Sequence, residues 1–162
     1  MAHNLNEKDG KTSFASTEKA WHGLGQIVEK AMTSEEAIKL ANLDYDVVKE
    51  PIFCEGQNGF QSVVPNNFVT KRTDNNEIFG IVGNRYEIVQ NRDAFTFFDA
   101  IVGSGQAIFE TAGVLGKGER IFISAKMPSY VRIAGTDDVT EMYTMLTSSH
   151  DGTGAVIAAI TP

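Results

Sequence analysis

The chain has 162 residues, 42% of them apolar, and 14 Lys and Arg against 21 Asp and Glu, which gives a net charge of −7. This length suits one domain with its own core, and the acidic balance excludes a histone-like nucleic-acid binder because it repels polyanions at long range. With Cys54 as the single cysteine, an internal disulfide and a multi-cysteine metal site are excluded. No apolar stretch has the length of a membrane span or the character of a signal peptide. We therefore expect a cytoplasmic protein without membrane contact, cofactor or bound metal.

Residues 1–19 are polar and lack apolar periodicity, which predicts a flexible N-terminal arm ahead of a single domain over residues 20–162. The domain opens on "AWHGLG", where Trp21 and His22 precede Gly23 and Gly25. One interpretation is a stacking or ligand-contact site built from the indole and the imidazole. The other is a structural anchor, in which Trp21 is buried and the two glycines bend the chain. The anchor is favoured because a buried Trp is commoner than a functional one.

Two segments have the periodicity of amphipathic helices. In "TSEEAIKLANL", Thr33 or Ser34 is the predicted cap, and Glu36 completes a capping box with Thr33 ahead of apolar residues that share one face. In "NRDAFTFFDAIVG", Asn91 is the predicted N-cap, Asp93 favours the first turn, and Gly103 ends the helix.

Elsewhere apolar residues alternate with a period of two, which predicts strands. The predicted strands are "YDVV", "PIFC", "GFQSVVP", "FVTKRT", "IFGIV", "YEIVQ", "AIFETAGVL", "RIFISAKM", "TEMYTMLTSS" and "GAVIAAI". The segments "TDNNE", "GKGE" and "HDGTG" are typical of hairpin turns. Strands and helices do not alternate, so we predict an α+β fold, a mainly antiparallel sheet of hairpins with two principal helices packed on it. The final "AVIAAITP" resembles a buried strand, which predicts the N-terminal part of a longer protein.

The segment "SSHDGTGA" places Ser, His and Asp side by side, as in a hydrolase. Adjacent residues on a strand point to opposite faces, whereas a catalytic triad needs converging side chains. A turn built on Asp151 and Gly152, with His150 packed or hydrogen-bonded nearby, is therefore the preferred interpretation. No catalytic residues are predicted. No metal site is predicted either, because the three histidines lack ligand spacing.

The basic residues are concentrated between residues 61 and 132, where eight Lys and Arg, including all five arginines, stand against seven Asp and Glu. Several lie close to aromatic residues, the combination that a single-strand groove uses, with cations along the backbone and rings for stacked bases. The residues predicted to bind nucleic acid are Lys71, Arg72, Arg85, Arg92, Lys117 and Arg120.

Four stretches taken together resemble one known family: "AWHGLG", "VGNRYEIVQN", "FETAGVLGKGERIFISAKMP" and "SSHDGTGA". Their order and wording are similar to those of the phage/plasmid-like protein family, a bacterial and bacteriophage group that carries domain of unknown function 932. The similarity extends from about Ala20 to the end of the chain. It implies a protein of a mobile genetic element, with no established activity and no catalytic residues to carry over.

The leading hypothesis is a non-enzymatic protein that binds or anneals single-stranded DNA through its basic middle segment, assisted by self-association. The alternative is a protein-interaction or structural module of a phage or plasmid, in which an exposed sheet edge recruits a phage or host protein. An enzyme has the least support, because no nucleophile and base are expected to converge.

Overall fold

The computed structural model describes residues 4–18, 23–28, 33–102, 108–132 and 139–161. The elements up to β7 are β1 (Glu7–Lys8), β2 (Lys11–Thr12), β3 (Phe14–Ser16), β4 (Gln26–Ile27), α1 (Ser34–Leu40), β5 (Val47–Glu55), β6 (Gln61–Arg72) and β7 (Ile78–Gly83). The remaining elements are α2 (Asn91–Val102), β8 (Ile108–Leu115), β9 (Arg120–Arg132), β10 (Val139–Ser149) and β11 (Ile157–Thr161). The predicted α+β class and the mainly antiparallel pairing are confirmed.

The larger sheet has six strands in the order β11-β10-β9-β8-β3-β4. All neighbours are antiparallel except β3 and β4, which are parallel. The predicted hairpins around "GKGE" and "HDGTG" are confirmed as the β8–β9 and β10–β11 pairs. Among the described helices, none is long and apolar enough to cross a membrane.

A second sheet has the order β5-β6-β7, and "TDNNE" forms the predicted hairpin turn between β6 and β7, with Asn76 at a φ of 61°. The predicted strand "YEIVQ" is wrong, because residues 86–90 have no strand structure. The Gln90 side chain takes the place of a strand partner. Its Oε1 accepts from the Val47 backbone N–H at 2.9 Å, and its Nε2 donates to the Val47 carbonyl at 2.8 Å.

Both predicted helices are confirmed, and the predicted end of the second helix at Gly103 lies outside the described residues. At the start of α1, Thr33 Oγ1 accepts from the Glu36 N–H at 3.2 Å, and Glu36 Oε2 accepts from the Thr33 N–H at 2.9 Å, which is the expected capping box. At the start of α2, the Gln90 carbonyl accepts from the Ala94 N–H. Asn91 is not the N-cap, since its buried side chain bonds to groups outside the helix.

Both described helices pack on one face of the six-stranded sheet and form the main core with it. The buried apolar residues of the helices are Ala37 and Ile38 in α1 and Ala94, Phe95 and Phe98 in α2. Those of the sheet include Ala112, Val114, Ile121, Ile123, Ala125 and Leu146. Alternation along β9 and β10 sends the intervening side chains to the opposite face of the sheet, where Met145 is 36% exposed.

The N-terminal segment differs from the prediction of a flexible arm, because residues 4–18 include three strands. In β3, Ala15 pairs with Ala112 of β8, and Phe14 pairs with Gly113. Leu5 and Phe14 are only 4% and 6% exposed. Two isolated apolar residues give no detectable period. The pairing of β3 with β8, nearly a hundred residues later, therefore could not be predicted from a local pattern.

Candidate nucleic-acid interface

The turn between β10 and β11 is organised by the carboxylate of Asp151. Its Oδ1 accepts hydrogen bonds from the Thr153 N–H at 2.9 Å, from Thr153 Oγ1 at 2.6 Å and from Ser149 Oγ. Burial alone would raise the pKa of Asp151, but these hydrogen bonds outweigh it and hold the pKa below its ordinary value. Gly152 follows at a φ of +79°, a conformation that costs glycine little. This is the turn on Asp151 and Gly152 that the sequence indicates.

Contacts with three neighbouring segments hold this turn in place. The backbone of Asp151 lies so close to Gly80 of β7 that a Cβ there would stand 2.6 Å from the Asp151 carbonyl oxygen. Tyr86 Oη donates to the Ser149 carbonyl at 3.0 Å. The His150 N–H donates to the Glu119 carbonyl at 2.7 Å. The turn therefore joins the two sheets.

His150 is 1% exposed and lies under the turn. Its Nε2 is 2.8 Å from Asn91 Oδ1, while Asn91 Nδ2 donates to the Leu43 carbonyl at 3.0 Å. Because Asn91 Oδ1 accepts, the imidazole carries its proton on Nε2. The ring stacks on Phe79 with centroids 6.0 Å apart, and burial lowers the pKa of His150 to about 4. The imidazole is therefore neutral at pH 7, and its hydrogen bond is structural.

Arg72 lies in a buried polar cluster and is 2% exposed. Its Nε and Nη2 donate to the carboxylate of Asp74 at 2.7 and 2.9 Å, and its Nη1 donates to the Lys117 carbonyl at 3.0 Å. The guanidinium also lies 3.9 Å from the ring centroid of Tyr45. Arg72 thus fastens β6 to the β8–β9 turn. It is not available to a nucleic acid, which corrects its inclusion in the predicted binding set.

The other five predicted residues differ in how available their charges are. Lys71 forms an ion pair with Glu50 at 2.8 Å, and Lys117 forms one with Glu77 at 2.9 Å. Arg85, Arg92 and Arg120 are exposed and form no ion pair with the described residues.

The three unpaired arginines occupy different parts of the fold. Arg85 lies in the connection between β7 and α2, and Arg92 borders a groove between the two helices. Arg120 begins β9 and borders a groove on the face of the six-stranded sheet opposite the helices. Of the six predicted residues, Arg120 alone lines this groove, on a sheet face that the described helices do not cover.

The groove beside Arg120 has a volume of about 400 Å³ and lies across β9, β10 and β11. Phe122, Thr147 and Ile157 are directly opposite one another on the three strands and form its floor. Arg120 and Ser149 form the next row. Phe122 is held in place by Gly113, where a Cβ would stand 2.5 Å from its ring, and by Phe14, whose ring centroid is 6.1 Å away. We call this site the β9–β11 groove.

Sequence reasoning found Arg120 but missed Thr147, Thr153 and Ile157, which also line the groove. The alternation of apolar residues placed Thr147 and Phe122 on predicted strands, but it does not indicate which face of the sheet the helices cover. Trp21 and His22 lie outside the described residues. Gly23 and Gly25, which follow them, have φ values of +68° and +94°, and a Cβ on Gly25 would lie 2.4 Å from the Phe14 ring. Among the described residues, no three His, Cys, Asp or Glu side chains are grouped as metal ligands.

Comparison with known proteins places this site in a family context. No curated protein and no solved structure matches the chain. Residues 78–162 match a family described as "Domain of unknown function (DUF932)". This matched region contains the whole lining of the β9–β11 groove and both members of the His150–Asn91 pair. The chain belongs to the DUF932 family.

Proposed function

We propose that this protein is a non-enzymatic single-stranded nucleic-acid-binding protein of a phage or related mobile element, with a binding or annealing role. The observation that carries the proposal is the position of Arg120, an exposed cation without an ion-pair partner in the described structure, next to Phe122 on a sheet face that the described helices do not cover. We place its action in the cytoplasm, where an exposed free thiol such as that of Cys54 stays reduced.

The chemistry of this face suits a single strand better than a duplex. A guanidinium donates paired hydrogen bonds to phosphate oxygens, and an aromatic ring stacks on any base because every base has a flat π face. A sheet face presents both groups on a fixed frame. The net charge of −7 opposes approach of a polyanion, so one protomer binds weakly, and several copies along one strand add their contributions.

Fluorescence anisotropy with a labelled oligothymidylate at low salt tests the proposal. We expect Arg120→Glu to weaken binding about tenfold or more, because it replaces a phosphate contact with a like charge. Arg92→Glu is the matched control, since it makes the same charge change at an exposed arginine beside the helices. An equal loss in both variants would show a nonspecific charge effect, and absence of binding in the unmodified protein would refute the function.

A second candidate function is a protein-interaction or structural module, by self-association or with a phage or host protein. It is favoured by the outer part of the β5–β6 hairpin, where Phe53, Phe60 and Val63 are 55%, 75% and 54% exposed. Exposed apolar side chains that lie close together mark interaction surfaces. Sedimentation equilibrium of Phe60→Ser tests it, because this function predicts a lower average mass for the variant than for the unmodified protein.

A further inference from the structure

We propose that the β9–β11 groove is a subsite for one nucleotide of the bound strand, with the base on Phe122 and Ile157 and its phosphate on Arg120. This inference rests on the proposed function and extends it from a surface to a defined site. The groove residues separate into an apolar floor and a cationic end.

The size and the division of the groove fit a nucleotide. Its volume of about 400 Å³ lies within the range of sites that hold small ligands, roughly 300 to 1,000 Å³. Arg120 and Phe122 are two residues apart on β9, so their side chains leave the same face about 7 Å apart along the strand. A flat apolar base and a charged phosphate joined by a sugar need two such adjoining surfaces.

Hydrogen bonds within the protein determine which hydroxyl groups of the groove remain available to a ligand. The hydroxyls of Ser149 and Thr153 both donate to Asp151 and are thereby occupied. The hydroxyl of Thr147 has no hydrogen-bond partner among the described residues and faces the groove. It is available to a base edge or to the sugar.

A hydrogen bond to the turn orients Arg120, and the nearby Asp151 carboxylate interacts with its charge without forming an ion pair. Its Nη2 donates to Thr153 Oγ1 at 3.3 Å, which leaves the other N–H groups of the guanidinium for a phosphate. The carboxylate of Asp151 makes no ion pair with Arg120, and three hydrogen bonds from the turn engage its Oδ1. The turn therefore aims the cation at the groove.

Two isoleucines on β11 provide a matched test of the groove in the full chain. Ile157 pairs with Thr147 on the groove face, and Ile160 pairs with Thr144, which is buried on the helix face. Both isoleucines are exposed, by 56% and 59%, so a substitution at either one spares the core. We expect Ile157→Glu to weaken oligothymidylate binding about tenfold, because a carboxylate would replace the apolar floor under the base and bring a negative charge close to a polyanion. Ile160→Glu should change binding less than about twofold.

Equal affinities of these two variants would overturn the subsite while leaving the proposed function intact, provided that the unmodified protein binds the oligonucleotide. Absence of binding in the unmodified protein would instead overturn the function. Phe122→Leu adds a measurement that retains an apolar side chain over Gly113. Loss of the stacked ring should lower affinity about fivefold or more, whereas unchanged affinity would overturn the placement of the base.

A mononucleotide titration followed by NMR tests directly whether the apolar floor of the groove binds the base and its cationic end binds the phosphate. Thymidine 5′-monophosphate should shift the backbone amide signals of Arg120, Phe122, Thr147 and Ile157, while thymidine or inorganic phosphate alone should shift fewer of them at the same concentration. Shifts confined to residues outside the groove, in a protein that binds oligothymidylate, would overturn the subsite.

Discussion

His150 and Asn91 are 59 residues apart in the chain and share a buried hydrogen bond of 2.8 Å between Nε2 and Oδ1. Through it, the turn after β10 is fixed to the first residue of α2. The same Asn91 side chain donates to the Leu43 carbonyl, so one amide joins three separate segments of the chain.

The first prediction concerns this amide. Asn91→Ala removes the acceptor of His150 and the donor to Leu43, and leaves buried polar groups unpaired, which costs about 1 to 3 kcal/mol each in general. We expect the free energy of unfolding in urea to fall by at least about 2 kcal/mol. Asn67→Ala is the control, because among the described residues its exposed side chain bonds to the Pro65 carbonyl alone, and it should cost less than about 0.5 kcal/mol. Similar losses in both variants would contradict the prediction.

The second prediction concerns pH. Burial lowers the pKa of His150 from 6.5 to about 4, so between these values the unfolded chain binds more protons than the native protein. Stability contributed by the neutral imidazole is therefore complete above pH 6.5 and is lost as the pH falls toward 4, in total about 3 kcal/mol.

His150→Gln keeps an N–H donor near Asn91 but does not titrate. Urea unfolding at pH 7, 6 and 5 should show a shallower decline for this variant than for the unmodified protein, although its stability at pH 7 is lower. Parallel declines would mean that His150 does not govern this pH range.

The third prediction separates the two neighbouring cations of β6. Arg72→Met leaves Asp74 without its bidentate partner and the Lys117 carbonyl without a donor. Because Asp74 keeps its ion pair with Lys8 at 3.1 Å and has 24% side-chain exposure, we expect a loss of about 3 kcal/mol, the lower end for a broken buried pair.

Lys71→Met is the control, because Lys71 pairs with the half-exposed Glu50 and should cost less than about 1 kcal/mol. Guanidinium unfolding of the two variants gives the comparison. If Arg72→Met were as stable as the unmodified protein and yet bound oligonucleotide more weakly, the structural role of Arg72 would be refuted.

The fourth prediction tests how closely the turn after β10 lies against β7. Alanine at Gly80 would place its Cβ 2.6 Å from the Asp151 carbonyl oxygen, whereas alanine at Gly83 on the same strand would meet nothing nearer than 4.0 Å. We expect Gly80→Ala to cost about 1 to 3 kcal/mol, since backbone atoms must move. Gly83→Ala should be close to neutral. Thermal unfolding of the two variants is sufficient, and equal melting temperatures would disprove the close approach.

Local patterns in the sequence were sufficient to predict the helices and the hairpins. Each of these signals acts within a few residues, so it can be recognised without the rest of the chain: the capping box at Thr33, the apolar face of α2 and the turn residues of "TDNNE". The strand predicted at residues 86–90 failed because the side chain of Gln90 substitutes for a ladder partner of Val47. No local rule anticipates that substitution.

The candidate site could be predicted only in part, because it too depends on contacts between distant residues. A charged residue at a strand position has the same local pattern whether its side chain reaches solvent, as at Arg120, or enters a polar cluster, as at Arg72. The difference depends on Asp74 and on the Lys117 carbonyl, 45 residues away. Availability of a cation is a tertiary property, and the sequence supplies only the candidates.

The pairing of β3 with β8 has a consequence for synthesis on the ribosome. Phe14 meets Gly113, so about a hundred residues must be added before this part of the sheet can close. At about 5 to 20 residues per second that takes roughly 5 to 20 s. During this interval β3 lacks its β8 partner, and Leu5 and Phe14 are open to capture by chaperones. Closure of this part of the sheet therefore waits for β8, however early β3 is made.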